Sequence, residues 1–378
     1  MMMPAYLNSC ACHSRQRGLS LIELMVSTTI GLLLLVSLSS MFINQNRART
    51  ELDKSNRMID NGRYALELLS SNLSLAGFYG RYDPRTTTAL TQQFDPCNLV
   101  AMATPAQSFD LMRMHIQGFN AATTASQIAS PPCTLTYTPG TEKTVKPGSD
   151  ILAMRRVNTN IVFAQNVAPT NGAVYLQISG CEFEPGSTRY LMSANPASMM
   201  LHQKNDTTVG NCYRSGGALF LTPPYESLWT FMTEVYFVSP DNNPGDGIPT
   251  LKRLELCSPL SDAPNYCGGT TQFFTTPLVE GVEFMQVEYG IDSNGDNVPE
   301  TFDQCSACTP QQWADVVSVK LHLITRNNEQ TRGYTDPNTY SLGLAGNYTP
   351  TGANAPFKRH AYTQHIRLTN PSGRRETP

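Results

Sequence analysis

The feature that most constrains this chain is an uncharged apolar run from Leu24 to Phe42, set directly behind a short basic segment and a lone glutamate, Glu23. Wound as an α-helix, those 19 residues are about 28 Å long, close to the hydrocarbon thickness of a bilayer. Residues 1–18 carry Arg15 and Arg17 and no acid. A secretory signal has a shorter apolar region followed by a small-residue cleavage site. Here the run is long and passes into further helix-compatible sequence, so it reads as a membrane span. A lipoprotein signal at Leu7-Asn-Ser-Cys10 lacks an apolar run before its cysteine.

Glu23 stands at the edge of that span. A carboxylate there is costly in lipid and needs a partner. If the chain is cut after Gly18, the new amine of Leu19 lies one turn from Glu23. The amine of a neighbouring copy comes within reach once helices pack side by side. The alternative is a glutamate resting at headgroup level beside the positive helix N-terminus. Basic residues alone do not orient the span, because Arg15 and Arg17 precede it while Arg47, Arg49, Lys54 and Arg57 follow it. The cysteines decide. Cys10 and Cys12 precede the span; Cys97, Cys133, Cys181, Cys212, Cys257, Cys267, Cys305 and Cys308 follow it. An even number scattered over a polar region points to disulfides and an oxidising compartment. That puts the C-terminal part outside and the leader in the cytoplasm.

The apolar run continues into a second helical stretch, from about Asn44 to Ala76, with Leu52, Ile59, Leu66 and Leu73 at seven-residue spacing and Ala65, Leu69 and Ala76 beside them. Gly77 and Gly80 end it. Beyond residue 80 the pattern becomes short β-like runs between turn signals. These are Ile151–Met154, Ala173–Ile178, Ala218–Leu221, Thr230–Val238, Leu251–Leu256, Val282–Tyr289, Val316–Thr325 and Tyr362–Leu368. The runs at 230–238 and 251–256 read as a hairpin around a long loop. Residues 120–149 and 333–356 read as long surface loops. With 378 residues the chain is long enough for one large domain or two smaller ones, and 15% charged residues with 26 Gly and 26 Pro suit a loop-rich β protein. The net charge of −3 gives no sign of a nucleic-acid binder.

Two constellations could carry chemistry. Asp292, Asn294, Asp296, Val298, Glu300 and Asp303 alternate in a way that can wrap a calcium ion, although Asn297 stands where an EF-hand loop has its turn glycine and Asp303 where it has its last glutamate. A hairpin turn at Asn294-Gly295 with solvated acids is the plain alternative. Cys305-Ser-Ala-Cys308 reads as a tight disulfide loop; no βαβ unit surrounds it as a thioredoxin-type motif requires. Sequence-neighbour pairing, 97–133, 181–212, 257–267 and 305–308, is the expectation adopted among the 105 connectivities that eight cysteines allow. No catalytic triad, phosphate-cradling glycine loop or paired catalytic carboxylates stand out, so the chain reads as a non-enzyme. The basic stretch from Arg367 to Arg375 reads as a solvated tail, with DNA or lipid as the alternative contact.

Arg17-Gly18-Leu19-Ser-Leu-Ile-Glu23-Leu-Met-Val-Ser resembles the prepilin signal of type IV pilins and type II secretion pseudopilins. That resemblance implies cleavage after Gly18 by a prepilin peptidase, N-methylation of Leu19, and an assembly role for Glu23, the fifth mature residue. Further blocks resemble the PilW family of minor pilins: Asn61–Ser70 with Leu75–Tyr79, Gly148–Leu152, Pro277–Asp292, Trp313–Lys320 and Lys358–Asn370. The family implies an α+β, pilin-like fold, with a long N-terminal helix packed on a large antiparallel sheet or sandwich head with long loops. The expected organisation is a leader (1–18), a transmembrane assembly half-helix (19–43), an amphipathic half-helix (44–79) and a disulfide-containing β-rich head (80–378). Expected partners are other minor pilins, the major pilin, prepilin peptidase, the inner membrane before assembly and a tip adhesin; nucleic acid is not expected as a direct ligand. The rival readings are a J-class type II secretion pseudopilin and a membrane-anchored periplasmic enzyme or binding protein.

Overall fold

The computed structural model describes residues 18, 20–85, 89–98, 105–121, 123, 126–162, 172–180, 189–196, 199 and 226–376. It divides into two compact units, Met1–Asp53 and Lys54–Pro378. One helix, α1 (Leu21–Ser74), supplies residues to both.

In the first unit the helix is apolar and bare. Leu21, Leu33, Leu38 and Phe42 are all more than 60% exposed. The stretch is long and apolar enough to cross a membrane, with a mean hydropathy of 2.2 over its best window. Four of its hydroxyl groups bond back to the helix. Ser27 donates to the Leu24 carbonyl, Thr28 and Thr29 to Met25, and Ser40 to Ser37, at 2.8–3.0 Å. Bonding back to the preceding turn removes the cost of carrying Ser and Thr into a medium that offers no partner.

The second unit is an α+β head. Its first sheet holds β1 (Ile116–Phe119), β2 (Ile151–Val162), β3 (Tyr175–Ile178), β4 (Tyr190–Ser193), β5 (Leu228–Ser239), β6 (Thr250–Leu256) and β7 (Phe273–Glu280). The order is β1-β2-β5-β3-β4, with β6 on β5 and β7 on β6, all pairs antiparallel. The twelve-residue β5 uses one edge twice, pairing β3 through residues 228–230 and β6 through 234–239. The second sheet takes β8 (Val282–Ile291), β9 (Thr301–Asp303), β10 (Val316–Arg326) and β13 (Arg359–Arg367) in the antiparallel order β13-β10-β8-β9. A small ribbon, β11 (Tyr340–Ser341) with β12 (Asn347–Tyr348), and short helices α2 (Pro105–Arg113), α3 (Pro310–Ala314) and α4 (Thr369–Glu376) complete it.

Gly281 is the corner between the sheets. It has φ +81°, and a Cβ there would lie 2.8 Å from the Arg326 carbonyl, so only glycine fits. Its N–H donates to the Pro249 carbonyl at 2.7 Å and its own carbonyl accepts from the Arg326 N–H at 2.8 Å. β7 therefore ends in one sheet and β8 begins in the other without a loop. A second tie is Asp150: its side chain accepts from the Ala121 and Val287 N–H groups at 2.8 and 2.9 Å, clamping the entry to β2 onto β8. A third is a buried ionic cluster. Glu283 accepts two bonds from Arg359, at 2.6 and 3.1 Å, and has Lys146 at 3.5 Å and Arg326 at 3.7 Å. Burial alone would raise the Glu283 pKa, but Lys146 and then the two arginines hold it below the ordinary carboxylate range.

Within this unit the main core joins Ala65, Leu69 and Leu73 of α1 to Val287, Tyr289, Val319, Leu321 and Ile366 of the second sheet and to Leu152, Tyr236 and Leu251 of the first. The buried stripe runs Met58, Gly62, Ala65, Leu69, Leu73. This corrects the heptad reading: Leu52 is 62% exposed, and Ile59 and Leu66 only flank the seam. A repeat of 3.5 drifts about 20° per heptad across a straight 3.6-residue helix, so seven-residue spacing does not stay on one face. The helix also stops at Ser74, short of the expected residue 79, and Gly77 (φ +73°) closes the turn behind it.

Three other expectations change, and the run at 218–221 lies outside the described residues. Residues 126–149 are more than surface, because Cys133, Leu135 and Val145 are buried with Phe237 and Leu254. Residues 340–357 fold over the outer face of the second sheet, where Leu342 and Tyr348 bury Phe284 and Ile324. The basic C-terminal stretch is not a solvated tail. It forms α4, whose Arg375 pairs with Asp292 and Asp315 at 2.9 and 2.8 Å and whose Arg374 donates to the Gly77 carbonyl at 2.9 Å.

Candidate functional site: the leader junction and the head

The junction read from sequence lies at the start of α1. Gly18 is exposed, with no atom of the described residues, its neighbours aside, within 4 Å of where a Cβ would be. Leu19 lies outside the described residues. Glu23 sits in the first turn, where its Oε2 accepts from the Ser20 backbone N–H at 2.9 Å. That bond is the return half of a capping box, in which the residue three along the helix satisfies the N-cap amide. The spacing Ser20-Leu-Ile-Glu23 carried this signal, and the sequence reading passed over it. A carboxylate has about four lone-pair sites, so the cap leaves capacity for an ammonium group.

The acidic loop between β8 and β9 brings only part of its candidate set together. One oxygen each from Asp292, Asp296 and Glu300 lie within 4.8 Å of one another. Asp292 is fully buried and already occupied: it accepts from the Gly295 and Asn297 N–H groups at 2.6 and 2.8 Å and pairs with Arg375. Glu300 accepts from the Ser293 N–H at 2.7 Å, and Asn294 donates to Asp296 at 3.1 Å. Val298 is 62% exposed. Asp303 belongs to β9 and accepts from the Cys305 N–H at 2.6 Å, apart from the other acids. Asn297 takes φ +71°, the left-handed position that the expected loop reserves for glycine.

Among the described residues three disulfides join Cys97 to Cys133, Cys257 to Cys267, and Cys305 to Cys308. Cys181 and Cys212 lie outside the described residues. The third bond closes a loop directly before α3, whose Thr309 and Gln312 form a complete capping box. Trp313 of α3 is thereby delivered edge-on to Tyr289, with ring centroids 4.8 Å apart. Gly118 of β1 leaves room for that tyrosine, since a Cβ there would collide with its ring. None of the sequence runs announced β1 or α3.

Residues 235–370 match the family model of type IV pilus-assembly protein W, and residues 13–39 match the prokaryotic N-terminal methylation motif. No curated protein and no solved structure matches the chain. The first span runs from within β5 to the start of α4, so it contains the Gly281 corner, the whole second sheet and the acidic loop. The quoted blocks at 277–292, 313–320 and 358–370 fall inside it, and those at 61–79 and 148–152 fall outside. A methylation motif on a long apolar helix and a pilus-assembly match over the second sheet thus occur together in one α+β chain of pilin-like fold.

Proposed function

We propose that this protein is a minor pilin that helps initiate a type IV pilus and stays in its tip complex. It enters the inner membrane through α1 with its head in the periplasm. Prepilin peptidase cuts after Gly18, and Leu19 becomes the methylated N-terminus. The apolar helix then moves from lipid into the filament, packing against the major pilin and other minor pilins, with a tip adhesin above. Twitching, adhesion or DNA uptake follow from the filament. We read the head as an assembly and docking body, not as an enzyme.

One observation carries the reading: the methylation motif and the pilus-assembly region occur on the same chain, on a helix and on a sheet of pilin-like design. The helix supports it physically. Each exposed leucine moved out of water is worth about 2 kcal/mol, so the bare half of α1 must sit in lipid or among other helices. The mass of the head, 325 residues by its bounds of 54–378, suits a rare subunit better than a repeating one. The test has two parts. Intact mass of the membrane-extracted chain should show a methylated start at Leu19; a mature chain retaining residues 1–18 excludes the pilin reading. A deletion strain should lose surface pili while type II secretion continues; the reverse result assigns the chain to a secretion pseudopilus.

A further inference from the structure

A cavity of about 160 Å³ opens where α2, α3 and α4 meet the segment that follows α1. Arg85, Arg113, Arg374 and Arg375 line it, with Asp315 as the one acid in the wall. Three of these arginines have carboxylate partners. Arg375 bridges Asp292 and Asp315, while Arg374 and Arg85 share Asp83 at 3.5 and 2.7 Å. Arg113 does not. It is 6% exposed, and among the described residues its one hydrogen bond goes to a neutral amide, from Nη2 to Gln311 Oε1 at 3.0 Å. Asp110 and Asp315 act on it only through space, and the Phe109 ring lies 5.7 Å from its guanidinium carbon.

An arginine does not give up its proton in a protein, so Arg113 is a buried cation whose remaining donors have no anion bound to them. Those donors open onto the cavity, where an anion can take the place of water on them. The planar fork of a guanidinium matches the two oxygens of a carboxylate or phosphate. The cavity is large enough to hold several waters, or one small anion and its hydration. His115, on its wall, turns both ring nitrogens to carbonyls, of Arg113 at 3.1 Å and Val316 at 2.8 Å. Burial, then the charge of Arg374, pushes its pKa down to about 3, against the pull of those two carbonyls.

We propose that this cavity binds a small free oxyanion, of the phosphate or carboxylate class, on the Arg113 guanidinium with Arg85 at the mouth. The anion ties together four segments that are remote in sequence, residues 84–85, 113–115, 311–315 and 371–375. Occupancy therefore stabilises the head by mass action.

The test is thermal unfolding of the full chain in maltoside micelles, titrated separately with inorganic phosphate and with acetate, sodium chloride holding ionic strength constant. The expected result is a saturable rise in melting temperature with at least one of the two anions and none with chloride. The anion that saturates at the lower concentration gives the class. Arg113→Gln should abolish the rise. Arg85→Gln, at an exposed position, should leave the fold intact and raise the half-saturating concentration about tenfold, the loss of one charge-assisted bond. No saturable rise over chloride, or equal responses in wild type and Arg113→Gln, overturns the proposal. If Arg113→Gln does not fold, Arg85→Gln decides, and an unchanged half-saturation overturns it.

Discussion

The Tyr362 ring lies directly on the backbone of Gly62, and its hydroxyl donates to the Ile59 carbonyl at 3.1 Å. The pair fixes where α1 rests on the edge strand of the second sheet. A methyl group at position 62 would fall inside the ring. In an open helix Gly→Ala stabilises by about 1 kcal/mol. Here overpacking costs about 1–3 kcal/mol and should reverse the sign. Gly62→Ala is expected to lower the urea midpoint of the head; a raised midpoint means the tyrosine does not sit there. Tyr362→Phe keeps the ring and should cost only about 1 kcal/mol, one hydrogen bond.

Asp150 predicts a pH dependence. Burial pushes its pKa up to about 8, against the pull of the two N–H groups it accepts from. The folded head therefore holds a proton that the unfolded chain releases near 3.8, the ordinary value of an aspartate. This contribution to stability is whole below pH 4 and is lost as pH rises through about 8. Asp150→Asn removes the titration and leaves one N–H without an acceptor, a loss of about 1–3 kcal/mol. Wild type should be the more stable at pH 5, and its advantage should shrink towards pH 8. A difference between the two proteins that stays constant from pH 4 to 9 would show that Asp150 does not titrate in this window.

The three described disulfides should rank by the loop each closes. Sequence separations are 36, 10 and 3 for Cys97–Cys133, Cys257–Cys267 and Cys305–Cys308. Chain-entropy arguments give about 4, 3 and 2 kcal/mol in that order. Paired Cys→Ser variants measured by denaturant unfolding should follow the ranking. Finding the 305–308 pair the costliest to remove would mean that it acts through the native packing of α3 and not through the unfolded chain.

What the sequence made legible was what is written locally. The span, the glutamate at its edge, and the alternation that pairs β5 with β6 are all short-range patterns. What escaped depends on distant partners. Pro277 lowers any expectation of a strand over Phe273–Glu280, yet among the described residues β7 pairs with β6 alone, and proline is tolerated on an edge strand. The buried stripe of α1 contains Gly62 because Tyr362, 300 positions later, needs the space. Arg374 and Arg375 look like a soluble tail until Gly77, Asp292 and Asp315 are placed beside them. The cavity around Arg113 has no sequence signature, since its walls come from four separate segments.

Calcium has a competitor in the acidic loop. Asp292 cannot turn towards an ion shared with Asp296 and Glu300 without giving up Arg375 or two backbone N–H groups. Binding should therefore be weak, of the millimolar class of extracellular sites. Millimolar calcium is expected to move the melting temperature by no more than about 2 °C, under about 1 kcal/mol for a domain of this size. A rise of many degrees at micromolar calcium would show that the loop rearranges and that the Arg375 pair gives way.

Glu23 separates two roles that act at different times. In the uncut chain it caps its own helix through the Ser20 N–H. On the function proposed above, cleavage behind Gly18 would give Leu19 an amine that supplies a cation, from the same chain or from a neighbour in the filament. The cap is worth about 1 kcal/mol, too little to decide whether a long apolar helix forms. A carboxylate left unpaired among packed helices costs more than that. Glu23→Ala should therefore be cut and methylated nearly as well as wild type, yet be depleted from sheared pili. Glu23→Gln, which keeps an oxygen acceptor for Ser20 but not the charge, should behave like Glu23→Ala in pili and like wild type in helix capping. Mass spectrometry of the mature N-terminus reads the first step, and immunoblotting of membrane and sheared-pilus fractions reads the second. Normal incorporation of Glu23→Gln would mean that capping, not charge pairing, is what the residue supplies.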